Sequence, residues 1–253
     1  MGFPGELSSA VAEHKISLFH KEPESRLSQD EAGISRVTRS KGEARIHYDR
    51  LSRWYDVMAG FWERRFREFG LLRLEVAEND VVLEIGFGTG HGLVFLGRSV
   101  RFNPIFGLDI SKGMCRQARK RTQNAGLSER IRLTRGDGAR LPYKSGRFDA
   151  VFISFTLELF DTPEITEVLS ECARVLRDGK RLGVVALSKK SMSGGAIRAY
   201  EWAHRVFPCS LDCRPIYAQD VVEKAGFCIL DIALRKNLAF PVEIVVAQKG
   251  APR

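Results

Sequence analysis

Apolar residues fall into two registers along this chain. One is short and continuous, at Val81–Ile85, Ile105–Leu108, Phe148–Ser154 and Leu182–Leu187 and around Ile131 and Leu133, and reads as five strands. The other recurs every three or four residues and predicts amphipathic helices between those strands. One helix covers about 91–99. The next is capped by Ser111, turns Met114, Ala118, Thr122 and Ala125 inward and stops at Gly126. Pro163 opens another that carries Ile165, Val168, Leu169, Ala173 and Leu176, and Asp178-Gly179 is expected to close it. Strand and helix in strict alternation predict an α/β fold with a parallel, doubly wound sheet, the apolar FDAVFIS run lying near its centre. After a helix at Ile216–Ala225, the runs Phe227–Leu234 and Val242–Gln248 are joined by a short link, which suits an antiparallel hairpin at one sheet edge.

Both flanks of this alternation look different. Residues 1–42, rich in Ser, Glu, Lys and Arg, read as a loosely ordered arm with one short helix near Val11–Phe19. Over 43–76 the residues Ile46, Tyr48, Leu51, Trp54, Tyr55 and Met58, then Phe61, Trp62, Phe66, Phe69 and Leu72, recur at helical spacing and predict two aromatic-rich helices. Residues 77–253 form the main domain. Inside it, 188–226 is irregular, with a loop, a helix at Ala196–Phe207 and the aromatics Tyr200, Trp202, Phe207 and Tyr217, which suit the wall of a pocket for a ring-bearing or hydrophobic ligand.

Composition narrows the class. A chain of 253 residues, 44% hydrophobic and 28% charged, is long enough for one sizeable core. It holds no apolar run of the roughly 20 residues that span a bilayer and no secretory signal pattern. The five cysteines are odd in number and scattered, so free thiols and a cytoplasmic location are expected; Cys209 and Cys213 find no further ligands at metal-site spacing. The net charge is +9, and segment 111–147 holds eleven Lys and Arg against Glu129 and Asp137. Such a segment suits an anionic partner, RNA or a phospholipid surface, or is a solvated helix face.

The chemistry concentrates at VVLEIGFGTGHG, residues 81–92. A buried strand runs directly into Gly86, Gly88 and Gly90, so a ligand can approach the backbone and meet the free amides of the next helix. A dinucleotide fingerprint needs its third glycine where His91 stands, which argues against a nicotinamide oxidoreductase. Asp109 ends the second strand, 23 positions after Gly86, where an acid can accept the two hydroxyls of a ribose or cap the helix with Ser111.

With Glu84 before it, G-x-G-x-G resembles motif I of class I S-adenosylmethionine-dependent methyltransferases. Gly136-Asp137-Gly138-Ala139-Arg140-Leu141-Pro142 resembles the family's adenine-contacting acid, and Phe148-Asp149 its fourth strand. Over about 44–187 the chain is most similar to the ubiquinone/menaquinone-biosynthesis C-methyltransferase group. The resemblance implies a Rossmann-like fold of seven strands, with the N-terminal helices, HYDRLSRWYD among them, as a lid that turns Tyr48 and Tyr55 to the site. It implies S-adenosylmethionine as cofactor, held by Glu84, Gly86, Phe87, Gly88 and Gly90 at its methionine part, Asp109 at the ribose and Asp137 at the adenine, with Ile110, Gly138 and Ser154 as further cofactor contacts. Phe87 replaces a small residue and is expected to line the methionine side, where its ring would favour a sulfonium cation. Asp178-Gly179-Lys180 replaces a Pro-Gly-Gly turn. No Asn/Asp-Pro-Pro-aromatic tetrapeptide of the nucleobase amino-methylating enzymes is present.

Displacement at an already activated methyl carbon needs alignment and water exclusion more than acid–base help. Where the acceptor must lose a proton, His47, Tyr48 and Glu158, and less directly His91 and His204, are the candidates by chemistry. The expected activity is methyl transfer to a small, lipophilic molecule: a quinone-like ring, a phospholipid headgroup or a natural product. The alternatives are an RNA methyltransferase using the 111–147 basic segment, and a non-catalytic cofactor-binding or assembly subunit.

Overall fold

The structure, a computed structural model, describes residues 41–52, 60–190, 214–236 and 241–250. The expected helices at Val11–Phe19 and Ala196–Phe207 lie outside them. So do Trp54, Tyr55, Met58, Tyr200, Trp202, His204, Phe207, Cys209 and Cys213.

Strands β1 (Val82–Ile85), β2 (Ile105–Asp109) and β4 (Phe148–Ser154) are buried at every position, as continuous apolar runs demand of strands covered on both faces. With β3 (Ile131–Arg135), β5 (Leu176–Leu187), β6 (Phe227–Lys236) and β7 (Pro241–Lys249) they form one seven-stranded sheet in the order β3-β2-β1-β4-β5-β7-β6. The first five strands are parallel, and β7 runs antiparallel between β5 and the edge strand β6.

Alternation along each strand sends side chains to two cores. Val82, Ile105, Ala150, Phe152 and Val185 meet α2 (Gly60–Leu74), α3 (His91–Ser99) and α4 (Lys112–Asn124) through Leu71, Leu74, Leu93, Leu96 and Ala118. Leu83, Ile85, Val151, Ile153 and Val184 meet α5 (Thr162–Val175) and α6 (Ala218–Lys224) through Ile165, Val168, Leu169 and Val222. The first helix, α1 (Lys41–Leu51), packs on α4. Ser111 caps α4 by accepting from the Met114 amide at 3.1 Å, and an Asp161–Glu164 capping box with Pro163 opens α5. No described helix is long and apolar enough to cross a membrane.

Three expectations are corrected. α5 ends at Val175, not at Asp178-Gly179. The Asp-Gly pair instead sits in a register shift of β5, where Leu176 pairs with Phe148 but Arg181 with Ala150. Gly179 takes φ 72° there, a left-handed turn that glycine permits, and the excursion is held by Lys249 on Asp178 (2.9 Å) and by Arg177 (2.6 Å) and Lys180 (3.1 Å) on Asp149. α6 begins at Ala218 rather than Ile216, which forms a bridge with Ser188. Ile46, expected on the inner stripe of α1, is 49% exposed.

Candidate functional site

Parallel register brings the ends of β1, β2 and β3 to one level, Ile85 beside Leu108 and Asp109 beside Arg135. The turn after β1 is then fastened to β2: the Gly86 amide donates to the Leu108 carbonyl (2.7 Å) and the Gly88 amide to Asp109 Oδ2 (2.9 Å). Asp109 Oδ1 accepts from the Ser111 amide (2.8 Å), and the Gly136 amide donates to the Asp109 carbonyl (3.0 Å). Asp109 thus ties the glycine turn and the start of α4 together through its carboxylate, and the end of β3 through its backbone carbonyl.

The three glycines all have positive φ but serve different ends. A Cβ on Gly86 would strike Thr156, and one on Gly90 would press on Ala118 Cβ at 2.9 Å, so both are required for close packing. At Gly88 a Cβ would meet nothing within 4 Å. That is the glycine whose backbone faces open space, as a ligand-cradling position must.

Beneath the turn lies Glu84, buried with its carboxylate against Gly92 in the first turn of α3. Its Oε2 has no hydrogen-bond partner among the described residues. Burial, opposed by Arg67 and aided by the charge of Asp109, pushes Glu84 up to about 8. Burial also pushes Asp109 up to about 6, against the pull of the Ser111 and Gly88 amides. Asp137 is half-buried and accepts from the Ala139 amide (3.0 Å), while Gly138 packs between Ile85 and Phe160. Ile110 is half-buried beside Asp109, and Ser154, at the end of β4, is buried with its Oγ unpartnered among the described residues.

Phe87 departs from expectation. It is buried in the core of the α2–α4 face, where a Cβ on Gly107 of β2 would press on its Cδ1 at 2.7 Å. The ring is directed under the turn into the sheet, so it does not wall the open side.

The acid–base candidates separate too. His47 and Tyr48 are half-buried on α1, their rings edge to face at 5.4 Å. Glu158 lies in a short 3-10 turn, Leu157–Leu159, fully buried; its Oε1 accepts from the Leu187 amide at 3.2 Å and its Oε2 has no described partner. Burial and the nearby charge of Glu63 push it up to about 8, opposed by the Leu187 amide and Arg214. His91 lines a groove between α2, α3 and α4.

Two elements of the arrangement carry no sequence signal. Asp49 of α1 accepts from Ser111 Oγ (2.6 Å) and the Gly113 amide (2.8 Å), placing a carboxylate on the first turn of α4. Partial burial pushes its pKa up, but these two bonds outweigh that and hold it below the usual range. On α2, buried Glu63 pairs with Arg67 at 3.0 Å, and this pair acts on Glu158 and Glu84. Five carboxyl groups thus come from the strands β1 and β2 (Glu84, Asp109), the 3-10 turn (Glu158) and the helices α2 and α1 (Glu63, Asp49), with Glu84 and Glu158 pushed up to about 8 by burial and Glu63 paired with Arg67.

Residues 82–179 match a family model described as a methyltransferase domain. A demethylmenaquinone methyltransferase of Lactiplantibacillus plantarum is 30% identical over 137 residues, 54% of this chain and 56% of that protein. A ubiquinone/menaquinone biosynthesis C-methyltransferase of Azotobacter vinelandii is 30% identical over 58% of this chain and 59% of its own length. The chain spans little more than half the length of these curated relatives. Among solved structures, the cyclase SpnF superposes with a TM-score of 0.68 at 18% identity, covering 85% of this chain and 98% of SpnF, and shares the fold.

Proposed function

We propose, from the membership of residues 82–179 in the methyltransferase-domain family, that this chain is an S-adenosylmethionine-dependent methyltransferase acting on a small, lipophilic acceptor. The observation that carries the reading is the open space at Gly88, whose amide is held by Asp109, with the unpartnered buried oxygen of Glu84 beneath the same turn. Each fits one part of the cofactor. Glu84 has an unpartnered buried oxygen for the methionine end; pushed up to about 8 by burial, it holds its proton in the free chain and is proposed to ionise when the positively charged ammonium binds. Asp109 spends one lone pair of each oxygen on a backbone amide and keeps a second for a ribose hydroxyl. Asp137 and Gly138, just past the end of β3, are proposed to face the adenine, and Ile110 and Ser154 to complete the cofactor contacts; the role of Phe87 is structural.

Bound there, the cofactor supplies a methyl carbon already activated by positive sulfur. The chain's own part is alignment and exclusion of water, and α1, fastened by Asp49 to the start of α4, is the element proposed to close over the site with Tyr48. Glu158 keeps its proton at neutral pH, so it serves as a hydrogen-bond donor there and not as the base. The acceptor class follows from the quinone-type reactions in the names of the relatives.

Titration calorimetry with S-adenosylmethionine tests the site, and methyl-labelled cofactor incubated with extract fractions tests the acceptor. Label is expected in the lipid or small-molecule fraction. Label confined to RNA refutes the acceptor class, and absence of any binding heat refutes the cofactor itself.

A further inference from the structure

Charge is divided between the two faces of the sheet. α3 and α4 together carry six cations and no acid, whereas α5 and α6 on the other face carry five acids and two cations. Across the basic face runs a groove of about 320 Å³ between α2, α3 and α4. Its floor is apolar, with Val94, Phe95 and Ala125, and its rim holds Arg64, Arg98 and Arg121. Glu68, its one acid, is paired with Arg64 at 2.7 Å, and Arg121 is steered along the wall by its bond to the Thr89 carbonyl at 2.5 Å.

A second observation points the same way. The two most exposed large hydrophobic side chains among the described residues, Phe102 at 75% and Leu72 at 64%, both belong to this face. Leu72 is on the last turn of α2, in line with Arg64 and Glu68 at four-residue spacing, and Phe102 follows the end of α3. The Arg101 and Phe102 amides both donate to the Glu78 carbonyl, which ties the end of α3 to the loop that follows α2.

We propose that the α2–α3–α4 face docks on an anionic phospholipid bilayer, the groove taking a phosphate-bearing headgroup between Arg98 and Arg64 while Phe102 and Leu72 enter the acyl boundary. Arg101 beside Phe102 is paired with Glu78 at 3.1 Å and Glu75 beyond Leu72 with Arg181 at 2.8 Å, which leaves the excess charge of α3 and α4 to attract the surface and the exposed apolar side chains to retain it, the pattern of interfacial binding. RNA would use the cations but leave Leu72 in water. The opposite, acidic face is repelled by the same surface, so the protein is held in one orientation. The inference is independent of methyl transfer, since it uses no residue of the cofactor site.

The test is co-sedimentation of the full chain with phosphatidylcholine vesicles, with or without phosphatidylserine. Binding is expected only with phosphatidylserine and is expected to fade with salt. Arg98→Ala should weaken it about fivefold, the loss of one arginine near the surface. Phe102→Ser should weaken it about tenfold. Both positions are exposed, so circular dichroism should be unchanged. Arg132→Ala with Arg135→Ala, on the exposed edge β3, should have no effect. Equal binding to neutral vesicles, indifference to both groove variants, or an equal loss in the β3 variant overturns the proposal. So does a short RNA that displaces the protein from vesicles and loses affinity to the same Arg98→Ala change.

Discussion

Asp109 holds two amides in the folded chain and has one acceptor site left on each oxygen, so what it can offer a ligand depends on its proton. Its pKa of about 6 means that it is ionised at pH 7.5 and largely neutral at pH 5. Calorimetry should therefore show S-adenosylmethionine affinity about tenfold lower at the acid end, the loss of charged hydrogen bonds worth about 1.5–3 kcal/mol. In Asp109→Asn the affinity should be low and flat with pH. A wild-type profile with no step near 6 sinks the ribose assignment. Gly88→Val tests the other side of the same site: its side chain would project into the open space and, at φ +53°, a β-branched residue also strains the turn, so binding should be abolished and stability should fall, whereas Gly88→Asn, which tolerates that φ, should lose binding with the smaller stability cost. Retained affinity there refutes the cradle. Glu158 makes the opposite kind of prediction, about stability. Its pKa is raised from 4.5 to about 8, so the native state holds a proton that the unfolded chain releases. Folding is therefore unpenalised below pH 4.5, loses stability as pH rises, and carries the full penalty above 8. Glu158→Gln keeps an acceptor for the Leu187 amide and cannot ionise. It should match the wild type at about pH 5 and exceed it by about 2–4 kcal/mol at about pH 9. Denaturant titrations at the two pH values decide it.

At the scale of elements, α1 is fastened to α4 through Asp49. Asp49 accepts there from Ser111 Oγ and the Gly113 amide, and Ser52 Oγ donates to the Asp49 carbonyl. Asp49→Ala should remove a helix-terminus contact worth about 1 kcal/mol and raise amide exchange in α1 and the first turn of α4, leaving β1 and β4 protected. Unchanged exchange in α1 shows that the carboxylate is not the tie. Sequence could not name this contact because Ser111 lies 62 positions away. The Ser111 cap itself was legible, since capping is local. So were β1, β2 and β4, whose burial on both faces leaves unbroken apolar runs, and the strand-end positions of Asp109 and Asp137. The α5–β5 boundary was misread for the same reason that Asp49 was missed. Asp178-Gly179 is a true turn signal, but its setting is a bulge fixed by Asp149 and Lys249 from other strands. Phe87 was misplaced because spacing says which residue follows Gly86 and not which way a left-handed turn directs it; that is decided by the room over Gly107.

At the scale of the whole molecule, α2 joins the site to the sheet. Its outer face belongs to the basic groove, its Glu63 and Arg67 act on Glu158 and Glu84, and its inner face reaches β4 and β5 through Gly70, whose Cα lies over Phe152 and Val185. A Cβ at Gly70 would stand 2.5 Å from Val185 Cγ2 and 3.4 Å from the Phe152 ring. Two effects then oppose each other in Gly70→Ala. Helix propensity favours alanine by about 1 kcal/mol, while overpacking a close interface costs about 1–3 kcal/mol. Val185 is fully buried in a strand paired on both sides, so it cannot retreat, and overpacking should win. The variant should be less stable in urea, and because α2 moves with Glu63 and Arg67 its cofactor affinity should fall as well. Val185→Ala removes the obstructing methyl. Alone it should cost stability by leaving a void, but with Gly70→Ala the new methyl occupies that void. The double variant is therefore expected to be more stable than the sum of the two single changes by over about 1 kcal/mol, with affinity restored alongside. Simple additivity in the cycle, or recovered stability without recovered affinity, would show that the seating of α2 on the sheet does not set the geometry of the site.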